Sequence, residues 1–201
     1  MYTVYGDYRS GNCYKLKLLL NLLGLPYQWV AVDVLKGEAR TAAFLAKNPN
    51  GKIPFLELAD GTYLWESNAI LNYLAEGSAL LPSERLQRAR VLQWQFFEQY
   101  SHEPAVAVAR FIQLYQGMPA ARQAEYEQCH KAGYKALQVM EQQLQGTNFL
   151  CGETYSIADI ALYAYTHVAH EGGFDLSGFP AIQAWLQRVA SQPGHVPMLD
   201  Q

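Results

Sequence analysis

The chain has 201 residues, enough for one large or two small domains, and 50% of them are hydrophobic, which can supply a substantial buried core. Its 15 basic and 18 acidic side chains argue against nucleic acid or an anionic membrane as a partner, since such binding needs clustered Lys and Arg. Three widely spaced cysteines predict neither a disulfide framework nor a zinc site. With no leader segment after Met1 and no apolar run of about 18 residues, we expect a cytoplasmic protein without a membrane span.

The first third of the chain predicts an α/β domain. Short β-rich runs alternate with helical runs, then two strands flank an Asp60-Gly61 turn as in an antiparallel hairpin, and a last helical run follows. The successive runs are Tyr2–Tyr5, Lys15–Leu23, Tyr27–Val32, Thr41–Lys47, Phe55–Leu58, Tyr63–Trp65 and Asn68–Ala75. The order βαβαββα over residues 1–77 is that of a complete α/β domain.

The remainder of the chain, residues 84–201, predicts an all-helical domain. Strand signals vanish after Leu86, and apolar residues recur at helical spacing. The boundary lies in Gly77–Ser83, where Gly-Ser and Leu-Pro-Ser supply breakers and a helix cap. Ser156 and Asp159 have the spacing of a capping box, which predicts a buried helix from Ile157 to about His170.

Ser10-Gly11-Asn12-Cys13 lies between the first strand and the first helix, where a helix N-terminus favours an anion. A serine hydroxyl cannot attack a disulfide, but it can donate a hydrogen bond to a bound thiolate and lower the pKa of that thiol. Ser10 therefore suits activation of a substrate thiol, or serves only as a helix cap. Cys13 is a core residue or a secondary thiol. Tyr8 is a rival donor, whereas Tyr5 is expected to be packed in the strand.

Two further segments suit the ends of a peptide ligand. Lys52 offers a cation to a carboxylate. If the Ile53–Pro54 bond is cis, the backbone of Ile53 can pair with an extended peptide. Ser67, read as the N-cap of the next helix, and Glu66 suit a group that bears both a carboxylate and an ammonium, as the γ-glutamyl end of a peptide does. Each segment taken alone also fits an ordinary loop with a solvated Lys or a purely structural cap.

These segments together resemble the glutathione transferase superfamily over essentially the whole chain. The run from Tyr5 to Lys17 looks like the first loop and helix of its serine-type classes, theta, delta and zeta among them. By this resemblance Ser10 binds the glutathione sulfur, Lys52-Ile53-Pro54 matches the cis-proline loop and Glu66-Ser67 the γ-glutamyl site. The implied fold is a thioredoxin-like domain followed by a helical bundle.

The resemblance also implies a detoxifying transferase that uses glutathione as co-substrate, needs no metal and pairs as a homodimer. A small hydrophobic electrophile would lie against the helical domain. The wall residues predicted for its pocket, which helical spacing equally places in the core, are Tyr100, Arg110, Phe111, Tyr115, Tyr163 and His167. His102 and His130 lack metal-like spacing and are expected to be structural.

Three functions are open on the same fold. The leading one is conjugation of the glutathione thiolate to an electrophile. The second is peroxide reduction or isomerisation at the same site, although Gly11-Asn12 departs from the Ser-Ser-Cys-like loop of zeta-type isomerases. The third is a binding or assembly module without catalysis.

Overall fold

The computed structural model describes residues 1–199, which form two compact units. The first comprises Met1–Ser78 with the segment from Pro193 onwards, and the second comprises Ala79–Gln192. The strands of the first unit are β1 (Tyr2–Gly6), β2 (Tyr27–Ala31), β3 (Phe55–Glu57) and β4 (Tyr63–Trp65), and its α-helices are α1 (Gly11–Leu22), α2 (Ala42–Leu45) and α3 (Ser67–Ala75).

One four-stranded sheet, in the order β2-β1-β3-β4, organises the first unit. β1 and β2 run parallel, as the crossover through α1 requires, whereas β3 is antiparallel to both β1 and β4. The hairpin turns at Asp60-Gly61, where Gly61 has a φ of 85° that favours glycine. The predicted βαβαββα order and thioredoxin-like class of this unit are confirmed.

Helix α1 is buried along most of its length and packs against α3. Every residue from Cys13 to Leu20 is buried, including two lysines, Lys15 and Lys17. The helix begins at Gly11 rather than at the predicted Lys15, because Ser10 caps it. Hydrophobic spacing could not reveal that start, since Gly11 and Asn12 carry no apolar signal.

The segment from Pro193 onwards belongs with the first unit, whereas the sequence predicts a helical domain over all of residues 84–201. The Tyr14 hydroxyl donates to the Val196 carbonyl at 2.7 Å, and Lys17 Nζ donates to the Met198 carbonyl at 3.3 Å. Both acceptors are backbone groups of a segment without regular structure. Docking of this kind leaves no periodic pattern in the sequence.

The second unit is helical, as predicted. Its α-helices are α4 (Arg85–Phe97), α5 (Glu103–Arg110), α6 (Gln123–Leu144), α7 (Ile157–Thr166) and α8 (Pro180–Ala190). Two π-helical segments, Glu98–His102 and Phe111–Tyr115, follow α4 and α5 directly. None of the helices formed by the described residues has both the length and the apolar character needed to cross a membrane.

Helix α7 is buried at every position, and the predicted capping box at its start is present. Ser156 Oγ accepts a hydrogen bond from the Ala158 N–H at 3.3 Å, and Asp159 Oδ2 accepts one from the Ser156 N–H at 2.9 Å. The helix ends at Thr166, short of the predicted His170, which lies instead in a 3₁₀ turn, Ala169–Gly172.

Candidate functional site

The loop between β1 and α1 presents Ser10 at a helix N-terminus. Ser10 is the N-cap of α1, its side chain is partly exposed, and its Oγ accepts a hydrogen bond from the Cys13 N–H at 3.4 Å. Because Oγ is the acceptor in that bond, the hydroxyl hydrogen can be donated to a ligand. The positive end of the helix adds to the attraction for a negative ligand atom. The loop can therefore stabilise a thiolate.

Cys13 lies against the backbone of Gly6 with no exposed surface. A Cβ built on Gly6 would come within 2.5 Å of Cys13 Sγ. Burial raises the pKa of Cys13 to about 12, and hydrogen bonds from the Ser10 side chain and the Asp7 backbone lower it only in part. These facts favour the packing role for Cys13 over that of a nucleophile.

The two tyrosines of this region are placed differently. The Tyr5 hydroxyl donates to Glu57 Oε2 at 2.6 Å and accepts from Lys47 Nζ at 3.1 Å. The bond to Glu57, assisted by burial, raises the pKa of Tyr5. Tyr8 is 46% exposed and stacks on Trp29, with the ring centroids 4.8 Å apart. Tyr5 is thus part of the sheet packing, and Tyr8 stays the rival hydrogen-bond donor.

The loop before β3 holds its shape through Asn48, which is buried. Asn48 Nδ2 donates to the Lys52 carbonyl at 2.7 Å, and the Asn50 N–H donates to Asn48 Oδ1 at 3.0 Å. The bond between Ile53 and Pro54 is cis. The Lys52 side chain is exposed at this loop, where it can meet a ligand carboxylate.

Glu66, not Ser67, is the N-cap of α3. Glu66 has a φ of 71°, a conformation that costs a non-glycine residue about 1–3 kcal/mol and is found chiefly at functional sites. Ser67 is the first residue of the helix and is 5% exposed. The expectation of a Ser67 cap is therefore corrected. Its hydroxyl bonds to other side chains instead of to the helix backbone.

Side-chain hydrogen bonds connect the three predicted segments. Ser67 Oγ donates to Asn12 Oδ1 at 3.3 Å, which joins α3 to the Ser10 loop. Asn50 Nδ2 donates to Glu66 Oε1 at 3.0 Å, which joins the loop before β3 to the start of α3. Lys15 Nζ, on α1, donates to Ser67 Oγ at 3.3 Å. The three segments predicted to bind one peptide ligand are thus neighbours.

The second unit groups some of the predicted wall residues. Phe111 and Tyr115 stack with their ring centroids 5.3 Å apart, and the Arg110 guanidinium lies 5.8 Å from the Tyr115 ring. Arg110 is only 3% exposed, and its Nε donates to Glu171 at 2.5 Å. The geometry gives Arg110 a structural ion pair and leaves the stacked pair as the more accessible surface.

The other wall residues form separate groups. Tyr163 and His167 stack at 4.7 Å on α7, and burial raises the pKa of Tyr163 to about 12. Tyr100 is 91% exposed and lines a groove of about 440 Å³ between the α4–α5 region and α6, together with Phe97 and Val139. Of the six predicted residues, Tyr100 alone lines this groove.

Two domain models of known families match this chain. The N-terminal domain model of glutathione S-transferases matches residues 9–76, and their C-terminal domain model matches residues 97–193. The chain belongs to the glutathione S-transferase family. The predicted family, the two-part fold class and the assignment as a transferase enzyme are confirmed by this match and by the relatives of the chain.

Relatives of this glutathione S-transferase include proteins with several activities. The solved structure of a glutathione S-transferase from Pseudomonas fluorescens is 74% identical, with a TM-score of 0.98 and 99% of each chain covered. The disulfide-bond oxidoreductase YfcG of Escherichia coli strain K12 is 33% identical over 90% of this chain and 87% of its own. A maleylacetoacetate isomerase of Rhizobium meliloti strain 1021 is 32% identical over 94% of this chain and 91% of its own.

Sequence reasoning missed three residues at the candidate glutathione site of this transferase. Arg40 approaches the Lys52 loop so closely that a Cβ built on Gly51 would lie 2.5 Å from Arg40 Nη1. Asn12 and Lys15 contact Ser67 from α1. Arg40 is the last residue of a short 3₁₀ turn, Glu38–Arg40, and no motif in the sequence marks it as part of the site. The residue type of Lys15 predicts a solvated helix position. The long apolar run around it is the signal that could have indicated its burial.

Proposed function

We propose that this glutathione S-transferase activates the thiol of glutathione with Ser10 and conjugates the sulfur to a small hydrophobic electrophile. Lys52 binds the glycyl carboxylate, Ile53 and Pro54 flank the cysteinyl part, and Glu66 with Ser67 binds the γ-glutamyl end. The observation that carries this proposal is the hydrogen-bonded connection of these segments through Asn12 and Asn50. A peptide-like ligand with a thiol between two charged ends would engage all three segments at once.

The Ser10 hydroxyl donates a hydrogen bond to the glutathione sulfur and favours its thiolate form, which lowers the pKa of the thiol. The released proton passes to solvent. The thiolate then attacks an electrophilic carbon, so that a C–S bond forms, and in an aryl halide the halide leaves with the bonding electron pair. The nucleophile comes from the substrate, because Cys13 is buried and its pKa is raised to about 12.

Replacing Ser10 by Ala tests this assignment. With an aryl-halide acceptor we expect kcat to fall about 10²-fold, the effect of removing one donor from a developing or bound anion. The thiolate absorbance of bound glutathione should shift to higher pH in parallel. Thr41→Ala is a matched control, because Thr41 caps α2 by the same kind of bond, to the Phe44 N–H at 3.3 Å. A Ser10→Ala enzyme that turns over as fast as Thr41→Ala would refute the role.

Peroxide reduction and isomerisation use the same activated thiolate on other substrates. The isomerase reading gains support from the Rhizobium relative, which is similar over 94% of this chain. Turnover with an aryl halide, a hydroperoxide and a maleyl ketone separates the three. An enzyme that accepts only the ketone is an isomerase, and the conjugation proposal then fails while the glutathione site stands.

A binding or assembly module without catalysis is the alternative of a different class. Retention on immobilised glutathione distinguishes it from the enzymes. A chain that is not retained, and whose fold is intact by circular dichroism, lacks the proposed glutathione site altogether.

We further propose a homodimer. The second unit has exposed apolar side chains on α4 and the π-helical segment after it and on α6, and exposed apolar surface can mark an association site; they are Leu92, Phe96, Tyr100 and Val139. Sedimentation of the wild type should give a dimer, and Phe96→Glu should give a monomer. A monomeric wild type would overturn the proposal.

The cytoplasm is the proposed location, because the three cysteines are free thiols, as is usual in reducing compartments.

A further inference from the structure

A fully buried ammonium group lies beneath the first residue of α3. Lys15 has no exposed surface, and its Nζ donates to Ser67 Oγ at 3.3 Å. Lysine is among the residues least often found completely buried, because transferring its charge out of water is costly. The positive charge of Lys15 therefore lies close to any ligand group that binds at the start of α3.

The bond from Lys15 fixes the direction in which the Ser67 hydroxyl can donate. An ammonium group has donors only, so Ser67 Oγ must be the acceptor of that bond. The single hydroxyl hydrogen of Ser67 then has to point to another acceptor. In this structure that acceptor is Asn12 Oδ1, at 3.3 Å. A ligand carboxylate at the start of α3 can take its place.

The same ammonium group attracts a carboxylate held by Ser67. A carboxylate oxygen in a hydrogen bond to Ser67 Oγ lies about 2.8 Å from it, and hence within about 6 Å of Lys15 Nζ. Two opposite unit charges at about 6 Å and an effective dielectric constant of about 20 attract each other enough to change a binding constant about 100-fold. Because solvent near the ligand screens part of this attraction, the expected effect is about 10- to 100-fold.

We propose that Lys15 is a positioning and specificity-determining residue, whose buried charge selects thiols that carry an α-carboxylate at the γ-glutamyl end. The inference rests on the proposed function, because it requires glutathione to bind with that end at Glu66 and Ser67. Lys15 acts through Ser67 and through its charge, and does not touch the reacting sulfur. Its removal should therefore weaken binding and leave the chemical step nearly unchanged.

Lys17 provides a matched control on the same helix. It is also buried, at 7% exposure, but its Nζ donates to the Met198 carbonyl of the segment from Pro193 onwards. Lys17→Met removes a buried ammonium group from α1 just as Lys15→Met does. Only Lys15→Met changes the group that contacts Ser67.

The test measures two peptides with the wild type, Lys15→Met, Lys15→Arg and Lys17→Met. One peptide is glutathione, and the other is 4-aminobutanoyl-cysteinylglycine, which lacks only the α-carboxylate. Lys15→Met should raise the Kd and KM for glutathione about 10- to 100-fold, with kcat within about threefold of the wild type. It should leave the Kd for the second peptide unchanged. Lys15→Arg should restore most of the affinity for glutathione, and Lys17→Met should not alter it.

An equal loss of affinity for both peptides, or no loss for either, would overturn the role of Lys15. If Lys15→Met does not fold, the wild type still decides. It must bind glutathione at least about tenfold more tightly than the second peptide, and equal binding overturns the inference. A wild type that binds neither peptide contradicts the proposed glutathione site itself, which distinguishes the two failures.

Discussion

Asp159→Asn is expected to destabilise the helical unit by an amount that depends on pH. Asp159 has no exposed surface, and its carboxylate accepts four hydrogen bonds. Its Oδ1 accepts from the Leu150 N–H at 2.9 Å and from Trp185 Nε1 at 3.0 Å. Its Oδ2 accepts from the Ser156 N–H at 2.9 Å and from the Ser156 hydroxyl at 3.1 Å. An asparagine amide keeps one oxygen, and its NH₂ group can face Ser156, whose hydroxyl can turn to accept a hydrogen bond. The buried Ser156 N–H then loses its acceptor, and one unpaired buried donor costs about 1–3 kcal/mol in free energy of unfolding.

The pH dependence follows from the pKa of the Asp159 carboxyl group. Burial raises it to about 6 from 3.8, although the four donors act in the opposite direction. Between those values the folded chain binds a proton that the unfolded chain lacks. The stabilisation from this group is therefore complete below the unfolded pKa and is lost as the pH rises through about 6. At about pH 5 it amounts to about 1.4 kcal/mol, and at about pH 7.5 it has vanished.

Urea denaturation of the wild type and of Asp159→Asn, at about pH 5 and about pH 7.5, measures the effect. Since the variant cannot titrate at this position, the gap in unfolding free energy should narrow by about 1.4 kcal/mol as the pH rises. Asp175→Asn is the control. Asp175 is exposed, and hydrogen bonds from Ser177 lower its pKa, so the difference in unfolding free energy between the wild type and Asp175→Asn should stay constant over this range. If the difference in unfolding free energy between the wild type and Asp159→Asn instead widens as the pH rises, the four donors lower the pKa of Asp159 by more than burial raises it.

Three further predictions concern packing and ligand selection. Gly6→Ala should lower the free energy of unfolding by about 1–3 kcal/mol, because the added Cβ clashes with Cys13 Sγ. The double variant Gly6→Ala/Cys13→Ala should lose less stability than the sum of the two single variants, and additive losses in denaturation would contradict the clash. Tyr14→Phe should lower the free energy of unfolding by about 1 kcal/mol and speed limited proteolysis near Val196, because it removes the hydrogen bond to the Val196 carbonyl. Unchanged proteolysis would show that this bond does not hold the segment. Phe111→Ala should raise the KM for an aryl halide severalfold with the KM for glutathione unchanged. A change in the glutathione KM alone would argue against an electrophile role.

The elements that could be predicted from the sequence are those whose signal is local. The turn at Asp60-Gly61 demands a positive φ, and the residues on both sides alternate as a hairpin does. The capping box of Ser156 and Asp159 is a pattern of four consecutive residues, and it marks the start of α7 at the correct residue. In both cases the physics is complete within a few residues, so no knowledge of tertiary contacts is needed.

The features that could not be predicted depend on contacts between distant residues. Lys15 and Ser67 are 52 positions apart, and nothing in either neighbourhood indicates that they meet. The segment from Pro193 onwards is held through its carbonyl groups, which every residue possesses. Ser67 was expected as a cap because of its residue type, but the left-handed backbone of Glu66 shifts the cap by one position.

The candidate site shows why net charge predicts partners of some kinds and not of others. A formal charge of −3 describes the field far from the protein, which salt screens within about 8 Å, and it bears on polyanions, whose binding needs many cations at once. Glutathione carries its negative groups at separate atoms, and each can be met locally. The proposed partners are the α1 N-terminus for the thiolate, Lys52 for the glycyl carboxylate, and the α3 N-terminus with Lys15 for the γ-glutamyl carboxylate. A buried cation is screened much less than an exposed one, so an acidic protein can bind an anionic peptide by placing a few positive groups where the negative atoms lie.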